Sequence, residues 1–311
     1  MRLCIFISLV YFAVSCKPAT KVPGTSKSGP AIQKTGTTTV NGTTINYLES
    51  GDGPTVILIH GSVSDYREWT TLNAPLSQHY RVIAYSRRYH SPNPPPLSDA
   101  DAGLDRQVDD LFEIMKAMSI NSAHIVGHSY GGTIALAFTL RHPAMVQSLV
   151  VAEPAVPGVI GQTPENDSLL KESQAIRAEM REVFAKGNAE QIIKAYAAHV
   201  APGDFEKATP EERNMLLENV TAFQLDFTSQ RPPFTCDDAR KITVPVLVLA
   251  GDRSPMALQR MAETTAQCIA GARFVRIPQA THWMQLDQSK MFNDEVLAFL
   301  AQTLSPGARP K

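Results

Sequence analysis

The stretch Gly127-His128-Ser129-Tyr130-Gly131 decides the fold of this 311-residue chain. It has the form G-x-S-x-G, with the apolar run His124–Val126 before it and the helix-forming run Thr133–Leu140 after it. In that context the two glycines let a strand and a helix approach closely around a sharp turn. The pattern therefore predicts that Ser129 stands on a strained turn between a buried strand and a helix.

Short apolar runs alternate with segments of helical period on both sides of this turn. Asn41-Gly42 separates two β-prone flanks and predicts an antiparallel hairpin. The runs 55–60 and 81–85 lack polar–apolar alternation, so we expect these two strands to be covered on both faces. The expected strands are 55–60, 81–85, 124–127, 146–152, 245–250 and 273–277, and the expected helices include 104–118, 131–141 and 293–304.

This alternation predicts an α/β protein with a mostly parallel, eight-stranded sheet flanked by helices. The segment 157–240 has a helical period and little β signal, so we expect a helical lid inserted after the sixth strand. The core then comprises residues 38–156 and 241–305, and residues 306–311 form a tail.

These motifs and their order resemble the α/β-hydrolase superfamily over nearly the whole chain from about Thr38 to Leu304. The resemblance implies a serine nucleophile, an acid and a histidine base, in that order along the chain. It assigns the nucleophile to Ser129 and the base to His282, which follows the last expected strand. The remaining histidines outside the motif are expected on loops or helix surfaces at His79, His90, His142 and His199, while His60 is expected to be buried and satisfied by backbone groups.

The acid is where this sequence departs from most of the superfamily. Ser254 occupies the usual acid position in Gly251-Asp252-Arg253-Ser254, and Asp252 stands two residues earlier. Glu153 ends the strand after the motif helix, a place that some haloalkane dehalogenases and zearalenone-type lactonases use for their acid. We therefore predict Glu153 as the acid that orients His282, and keep Asp252 as the alternative.

A tetrahedral intermediate needs two N–H donors about 3 Å from its oxyanion. The superfamily carries a His-Gly pair at the end of the third strand, and here the pair is His60-Gly61. The expected donors are the backbone N–H groups of Ser62 and Tyr130. The run Tyr85–Ser91 stands where relatives often have D-x-R-G-x-G-x-S, and this variant does not indicate a substrate.

The N-terminus predicts export. An apolar run from Leu3 to Val14 follows Met1-Arg2 and is too short to span a bilayer, which is typical of a signal peptide. It ends in Ala13-Val14-Ser15-Cys16, which resembles a bacterial lipobox, so residues 1–16 are interpreted as a signal and Cys16 as a lipid anchor in the cell envelope. A plain secretory signal cut near Ser15 is the alternative. Residues 17–37 are polar and Pro/Gly-rich and predict a flexible tether.

Composition excludes several classes of partner and leaves the cysteines undecided. A net charge of −1 without basic clusters gives no electrostatic footprint for nucleic acid. The sequence shows no His and Cys residues at the spacing of metal ligands, and no phosphate-binding loop that would indicate a nucleotide cofactor. Cys236 and Cys268 could pair in an oxidising compartment, and two free thiols are the preferred expectation. Oligomeric state cannot be inferred from the sequence.

The sequence thus predicts a serine hydrolase that cleaves a carboxylic ester, lactone or related acyl bond of a small, mainly apolar substrate. The alternatives are a cofactor-free perhydrolase or haloperoxidase, a C–C bond hydrolase with the same triad, and an envelope binding protein or sensor with little turnover. A serine nucleophile argues against dehalogenase and epoxide hydrolase chemistry, which needs a carboxylate. Aromatic and apolar residues expected near the site, either as pocket lining or as core, are Tyr66, Trp69, Tyr130, Trp283 and Met284.

Overall fold

The computed structural model describes residues 33–96, 101–161 and 163–303. The expected signal peptide, the anchor at Cys16 and the expected tail lie outside these ranges. Within them, no helix combines the length and the apolar character needed to cross a membrane.

Eight strands form one sheet in the order β1-β2-β4-β3-β5-β6-β7-β8. The first two pairings, β1 with β2 and β2 with β4, are antiparallel, and all the others are parallel. The expected mostly parallel, eight-stranded sheet is confirmed. The strands are β1 Lys34–Val40, β2 Thr43–Ser50, β3 Thr55–Ile59, β4 Arg81–Tyr85, β5 Ala123–His128, β6 Val146–Ala152, β7 Val246–Gly251 and β8 Arg273–Ile277.

Helices cover both faces of the sheet and fill the interval between β6 and β7. Those outside this interval are α1 Thr70–Leu76, α2 Leu104–Ala117, α3 Tyr130–Arg141, α10 Met256–Cys268, α11 Met284–Asp287 and α12 Ser289–Thr303. Those inside it are α4 Pro164–Lys186, α5 Ala189–Val200, α6 Asp204–Lys207, α7 Pro210–Glu218, α8 Val220–Thr228 and α9 Cys236–Ala239.

Burial on both faces explains why the strands lack alternation. In β3, Ile57 and Ile59 join the cluster under α2, α3 and α10, whereas Val56 and Leu58 join the cluster under α1 and α12. Successive side chains point to opposite faces, so a strand packed on both sides must be apolar throughout.

The interval between β6 and β7 is helical, as the sequence predicts. Its helices have an apolar cluster of their own, in which Met180, Ile193 and Phe223 are almost fully buried. Val63 and Trp283 of the α/β core belong to the same cluster, so the helical segment packs on the core. Its role as a lid stays a prediction.

Two expectations need correction. The hairpin begins at Lys34, inside the stretch 17–37 expected to be a tether, because the pairing of β1 with β2 extends from Val40 opposite Thr43 back to Lys34 opposite Glu49. Cys236 and Cys268 form a disulfide with their Cα atoms 5.4 Å apart, so the expectation of two free thiols is wrong. The bond joins α9 to the end of α10, two elements far apart in the sequence that the fold packs together.

Candidate active site

Ser129 stands on the strained turn that its motif predicts. It follows β5 directly and precedes α3, and its backbone has φ 53° and ψ −118°, a conformation rare for a residue with a side chain. The turn needs Gly131, because a Cβ there would overlap the carbonyl oxygens of Ile59 and His60. The strain is held by hydrogen bonds, among them Ser129 N–H to the Ala152 carbonyl at 2.9 Å.

Glu153 and His282 meet in a fully buried hydrogen bond. The Glu153 Oε2 atom lies 2.6 Å from His282 Nδ1, and its Oε1 accepts from the Gly251 N–H at 2.8 Å. Less than 2% of either residue is exposed. With Nδ1 engaged by the carboxylate, Nε2 is the ring nitrogen left to accept a proton. Glu153, directly after β6, also has a positive φ of 42°, so the backbone is strained at the acid as well as at Ser129.

The alternative acid lies elsewhere. Asp252 follows β7 and is exposed, and no hydrogen bond joins its carboxylate to His282 in the described chain. Ser254, at the usual acid position, is buried, and its hydroxyl has no hydrogen-bond partner among the described residues. The structure brings Glu153, and not Asp252, to the histidine.

The two expected oxyanion donors flank the nucleophile. Ser62 lines the same cavities as Ser129, and Tyr130 is the first residue of α3, where helices leave N–H groups unpaired. In the described ranges neither backbone N–H donates to another protein group. Both are therefore available to a ligand, and their function as an oxyanion hole stays a prediction.

A second buried histidine–carboxylate pair lies beside the first. His128 Nδ1 is 2.9 Å from Glu68 Oε1, and His128 Nε2 is 2.9 Å from the carbonyl oxygen of His282. Both ring nitrogens thus face acceptors, which favours the charged imidazolium. Burial lowers the pKa of His128, but the Glu68 carboxylate outweighs it and the pKa is raised overall.

Glu68 connects this pair to the loop that carries Ser62. Its Oε2 accepts from the Gly61 N–H at 3.0 Å and from the Ser64 hydroxyl. Gln285 donates to Oε1 at 3.1 Å. Burial raises the pKa of Glu68, but the charge of His128 and the hydrogen bonds from His128, Ser64 and Gly61 together lower it overall, so the carboxylate stays ionised. Glu68 and His128 therefore tie the expected oxyanion loop to the nucleophile turn.

The environment of His282 keeps its imidazole neutral. Burial is the main cause that lowers its pKa, the hydrogen bond that it donates to Glu153 opposes this, and the nearby charge of His128 lowers the pKa further. The rings of His128 and His282 are 4.6 Å apart between centroids. A neutral imidazole at ordinary pH can act as a general base.

Two cavities meet at Ser129 and His282. The smaller has a volume of about 280 Å³ and the larger about 420 Å³. Ser62 and Tyr196 line both, and Tyr196 comes from α5. Burial raises the pKa of Tyr196 to about 12, so its hydroxyl stays protonated.

The residues expected around the pocket divide between pocket and core. Trp283 lines the smaller cavity, whereas Trp69 and Met284 are buried in the core beneath α1 and α12. His60 is buried as expected, with Nδ1 2.7 Å from the Gly61 carbonyl and Nε2 accepting the Arg87 N–H at 2.8 Å. His90 lies on the loop after β4, as expected, and is also fully buried.

Sequence reasoning missed Glu68 and Tyr196. Glu68 has no signal beyond being a carboxylate next to Trp69, and Tyr196 lies on a helix whose position over the sheet no local pattern indicates. Within the described residues, no group of three or more His, Cys, Asp or Glu side chains is arranged to hold a metal ion.

Known proteins similar to this chain share both its length and its fold. The chain is 28% identical over 270 residues to a 2-hydroxymuconate semialdehyde hydrolase of Pseudomonas sp. (strain CF600), covering 83% of this chain and 90% of that protein. It is 26% identical to a carboxylesterase of Bacillus subtilis, covering 80% of this chain and 81% of the esterase. The crystal structure of a carboxylesterase from Bacillus subtilis superposes on this chain with a TM-score of 0.68 at 23% sequence identity. The superposition covers 87% of this chain and 92% of the esterase.

The family comparison covers most of the sheet and the proposed site. The family described as alpha/beta hydrolase fold matches residues 54–289, which include β3 to β8, Ser129, Glu153 and His282. The chain belongs to the alpha/beta hydrolase fold family and is a hydrolase of that fold.

Proposed function

We propose that this protein is a serine hydrolase that cleaves a carboxylic ester, lactone or related acyl bond through an acyl-enzyme intermediate. The observation that carries the proposal is the buried hydrogen bond between Glu153 and His282 beside the strained Ser129 turn. A histidine held in one tautomer by a desolvated carboxylate, next to a serine on such a turn, has the parts needed for nucleophilic catalysis.

In the proposed reaction the Ser129 hydroxyl attacks the acyl carbon while His282 Nε2 accepts its proton. The Ser62 and Tyr130 N–H groups stabilise the oxyanion of the tetrahedral intermediate. His282 then donates the proton to the leaving group, and water, activated by the same nitrogen, hydrolyses the acyl-enzyme. Among described residues no hydrogen bond joins Ser129 to His282, and such contacts commonly form only with substrate bound.

Two relatives support an acyl or carbon–carbon bond as the target. One is named a semialdehyde hydrolase and another a carboxylesterase, and further relatives are named a non-heme chloroperoxidase and epoxide hydrolases. The two cavities that meet at Ser129 leave room for a substrate with a sizeable group on each side of the bond. The serine at position 129 favours the acyl chemistry over the epoxide chemistry.

The test is a panel of chromogenic acyl esters together with a fluorophosphonate probe, applied to the wild type and to Ser129→Ala. We expect hydrolysis and covalent labelling that both disappear in Ser129→Ala. Labelling without ester turnover would indicate an unusual acyl or carbon–carbon substrate. Activity and labelling that both persist in Ser129→Ala would contradict the proposal. Their absence from the wild type would favour a binding protein or sensor.

We also propose that the chain is exported and anchored by lipid at Cys16. The apolar run 3–14 before this cysteine supports the proposal, and so does the Cys236–Cys268 disulfide, because disulfides persist mainly in oxidising compartments. Fractionation of an expressing bacterium should place the wild type with the membranes and Cys16→Ser in a soluble fraction. Recovery of both in a soluble fraction would contradict the anchor.

A further inference from the structure

The larger cavity at Ser129 is mainly apolar, and two arginines stand among its lining residues. Its walls come from α4, α8, α10 and the segment after β6, with Val156, Phe234 and Met261 among the apolar residues. Arg177 and Arg231 line it as well, and in the described chain no Asp or Glu does. A guanidinium in an apolar cavity normally has a carboxylate partner, since an uncompensated charge there is costly.

Arg231 lies directly beside the nucleophile turn. Its guanidinium carbon is 3.8 Å from the ring centroid of Tyr130, the residue that follows Ser129. Its Nε and Nη2 both donate to the backbone carbonyl of Asp226, at 3.2 and 2.6 Å. The stacking and these hydrogen bonds fix the group in place without neutralising its charge.

Arg177 reaches the same cavity from α4. Its guanidinium carbon is 4.7 Å from the Phe227 ring centroid, and Nη2 donates to the Phe227 carbonyl at 3.3 Å. Burial lowers the pKa of Arg177, and the positive charge of Arg231 lowers it further. Neither has a salt bridge within the described residues.

The two buried arginines of the described chain have the carboxylate partner that Arg177 and Arg231 lack. Arg87 is paired with the Asp226 carboxylate at 2.6 Å, and Arg88 with Asp110 at 2.6 Å. The Asp226 carboxylate is thus already used by Arg87 and is not the partner of Arg231. The two buried guanidinium groups therefore each have a carboxylate partner, whereas Arg177 and Arg231, which are partly exposed at the cavity, have none among the described residues.

The smaller cavity carries the opposite charge. It is lined by four carboxylates, Glu68, Asp204, Glu212 and Asp287, against two cations among the described residues, Lys207 and His128, so its net charge is negative. The electrostatic character therefore changes sign across the nucleophile. An anionic group of a substrate would be attracted to the larger cavity and repelled from the smaller one.

We propose that the substrate of this hydrolase carries a carboxylate, and that Arg177 and Arg231 bind it in the larger cavity while an apolar part of the substrate bridges to the bond at Ser129. The proposal rests on the proposed serine hydrolase function. Guanidinium groups suit it because their planar donors match the two oxygens of a carboxylate. The substrate carboxylate would supply the negative charge that no Asp or Glu provides among the described residues lining this cavity.

The test compares carboxylates with their neutral isosteres. One pair of substrates places the charge on the acyl side: 4-nitrophenyl half-esters of adipate, pimelate or suberate against the corresponding ω-carboxamides. The other pair places it on the leaving group: 4-acetoxyphenylacetate against 4-acetoxyphenylacetamide. We expect the wild type to prefer the carboxylate in one pair by at least about tenfold in kcat/KM, because a charge-assisted hydrogen bond is worth that much.

Variants separate binding of the carboxylate from general damage. Arg177→Gln and Arg231→Gln should each reduce the preference for the carboxylate over its isosteric amide, measured as the ratio of their kcat/KM values, about tenfold or more. Arg181→Gln is the matched control, because Arg181 is exposed on the same helix and does not line the cavity. Equal loss for acid and amide in the cavity variants would show a structural role only and would overturn the proposal.

A second readout works without turnover. Calorimetry of monomethyl suberate with Ser129→Ala should show binding that weakens about tenfold when Arg177→Gln is added. If esters are hydrolysed in a Ser129-dependent way but no carboxylate is preferred in either pair, the carboxylate site is wrong and the serine hydrolase stands. If monomethyl suberate fails to bind and neither pair shows a preference, the carboxylate site is overturned, whatever the outcome for Ser129.

Discussion

The residues proposed to do chemistry are those whose local context is most specific. Ser129, Glu153 and His282 all follow the carboxyl end of a strand, so a correct order of strands brings them to one edge of the sheet. Glu68 could not be predicted in the same way. It acquires its role only through its contact with His128, at the variable position of the motif. That contact depends on how the short helical turn that carries Glu68 packs against the end of β5, which the sequence pattern does not specify.

The choice between two acids can be decided by isosteric substitutions. Glu153→Gln leaves the geometry in place but removes the charge that supports the His282 imidazolium, so kcat should fall by roughly 10³- to 10⁴-fold. Asp252→Asn is the matched control, and it should retain activity close to the wild type because Asp252 is exposed and away from His282. Steady-state rates with one ester measure both. The opposite pattern would assign the acid to Asp252.

The charge of His128 should be visible in the pH dependence of kcat/KM. His282 must be neutral to accept a proton, so activity falls as the pH drops through its pKa, which burial and the His128 charge hold below 6.5. His128→Gln removes that charge and should move the acidic limb of the profile to higher pH. His79→Gln, at an exposed position, should leave the limb unchanged. An unmoved limb in His128→Gln would show that His128 is neutral in the active enzyme.

At the scale of elements, strands were predicted better than helices. The strands β3 to β8 all occur within one residue of their expected bounds. For β3 to β7, which are buried almost throughout, the reason is that a strand covered on both faces must be apolar. The helices α4 to α9 were expected only as one segment of helical period. Their bounds depend on caps such as Thr209 before α7 and Asn188 before α5, which single-residue patterns do not separate from ordinary polar surface.

The disulfide between α9 and α10 is an element-scale contact that no spacing predicts. The two cysteines are 32 positions apart in the sequence. The constraint that their bond places on the unfolded chain should stabilise the fold by about 3–4 kcal/mol. The variant Cys236→Ala/Cys268→Ala should therefore show a lower midpoint of urea unfolding than the oxidised wild type. A reductant should lower the midpoint of the wild type and leave that of the variant where it is. A wild type insensitive to reductant would indicate that the bond adds no stability.

At the scale of the whole molecule, buried polar contacts fasten the helical segment to the sheet at one side. Asp226 of α8 binds Arg87 and His90, which follow β4, and Asn219 donates to Asp65, which follows β3. The other side of the segment borders the larger cavity at Ser129. Polar residues of the run Tyr85–Ser91, which indicated no substrate in the sequence, therefore serve to join the two parts of the structure.

The contribution of the Asp226 carboxylate to the free energy of unfolding should depend on pH, because its pKa differs between the folded and the unfolded chain. Burial raises the pKa of Asp226, but Arg87 and His90 outweigh it and lower the pKa to about 2, against an ordinary value of 3.8. A carboxylate with a lowered pKa stabilises the fold above its ordinary pKa, and this stability is lost as the pH falls toward the folded value. The contribution is therefore complete above about pH 4 and declines between about pH 4 and pH 2.

Asp226→Asn leaves Arg87 buried without a countercharge and should lower the free energy of unfolding by about 3 kcal/mol at pH 7. Urea unfolding at a series of pH values should show the difference from the wild type shrinking below about pH 4, as the wild-type carboxylate also becomes neutral. The surface variant Asp294→Asn, whose partner Lys290 is exposed, should lie within about 0.5 kcal/mol of the wild type throughout. A loss in Asp226→Asn that stays constant down to pH 2 would mean that shape, and not charge, holds the helical segment to the sheet.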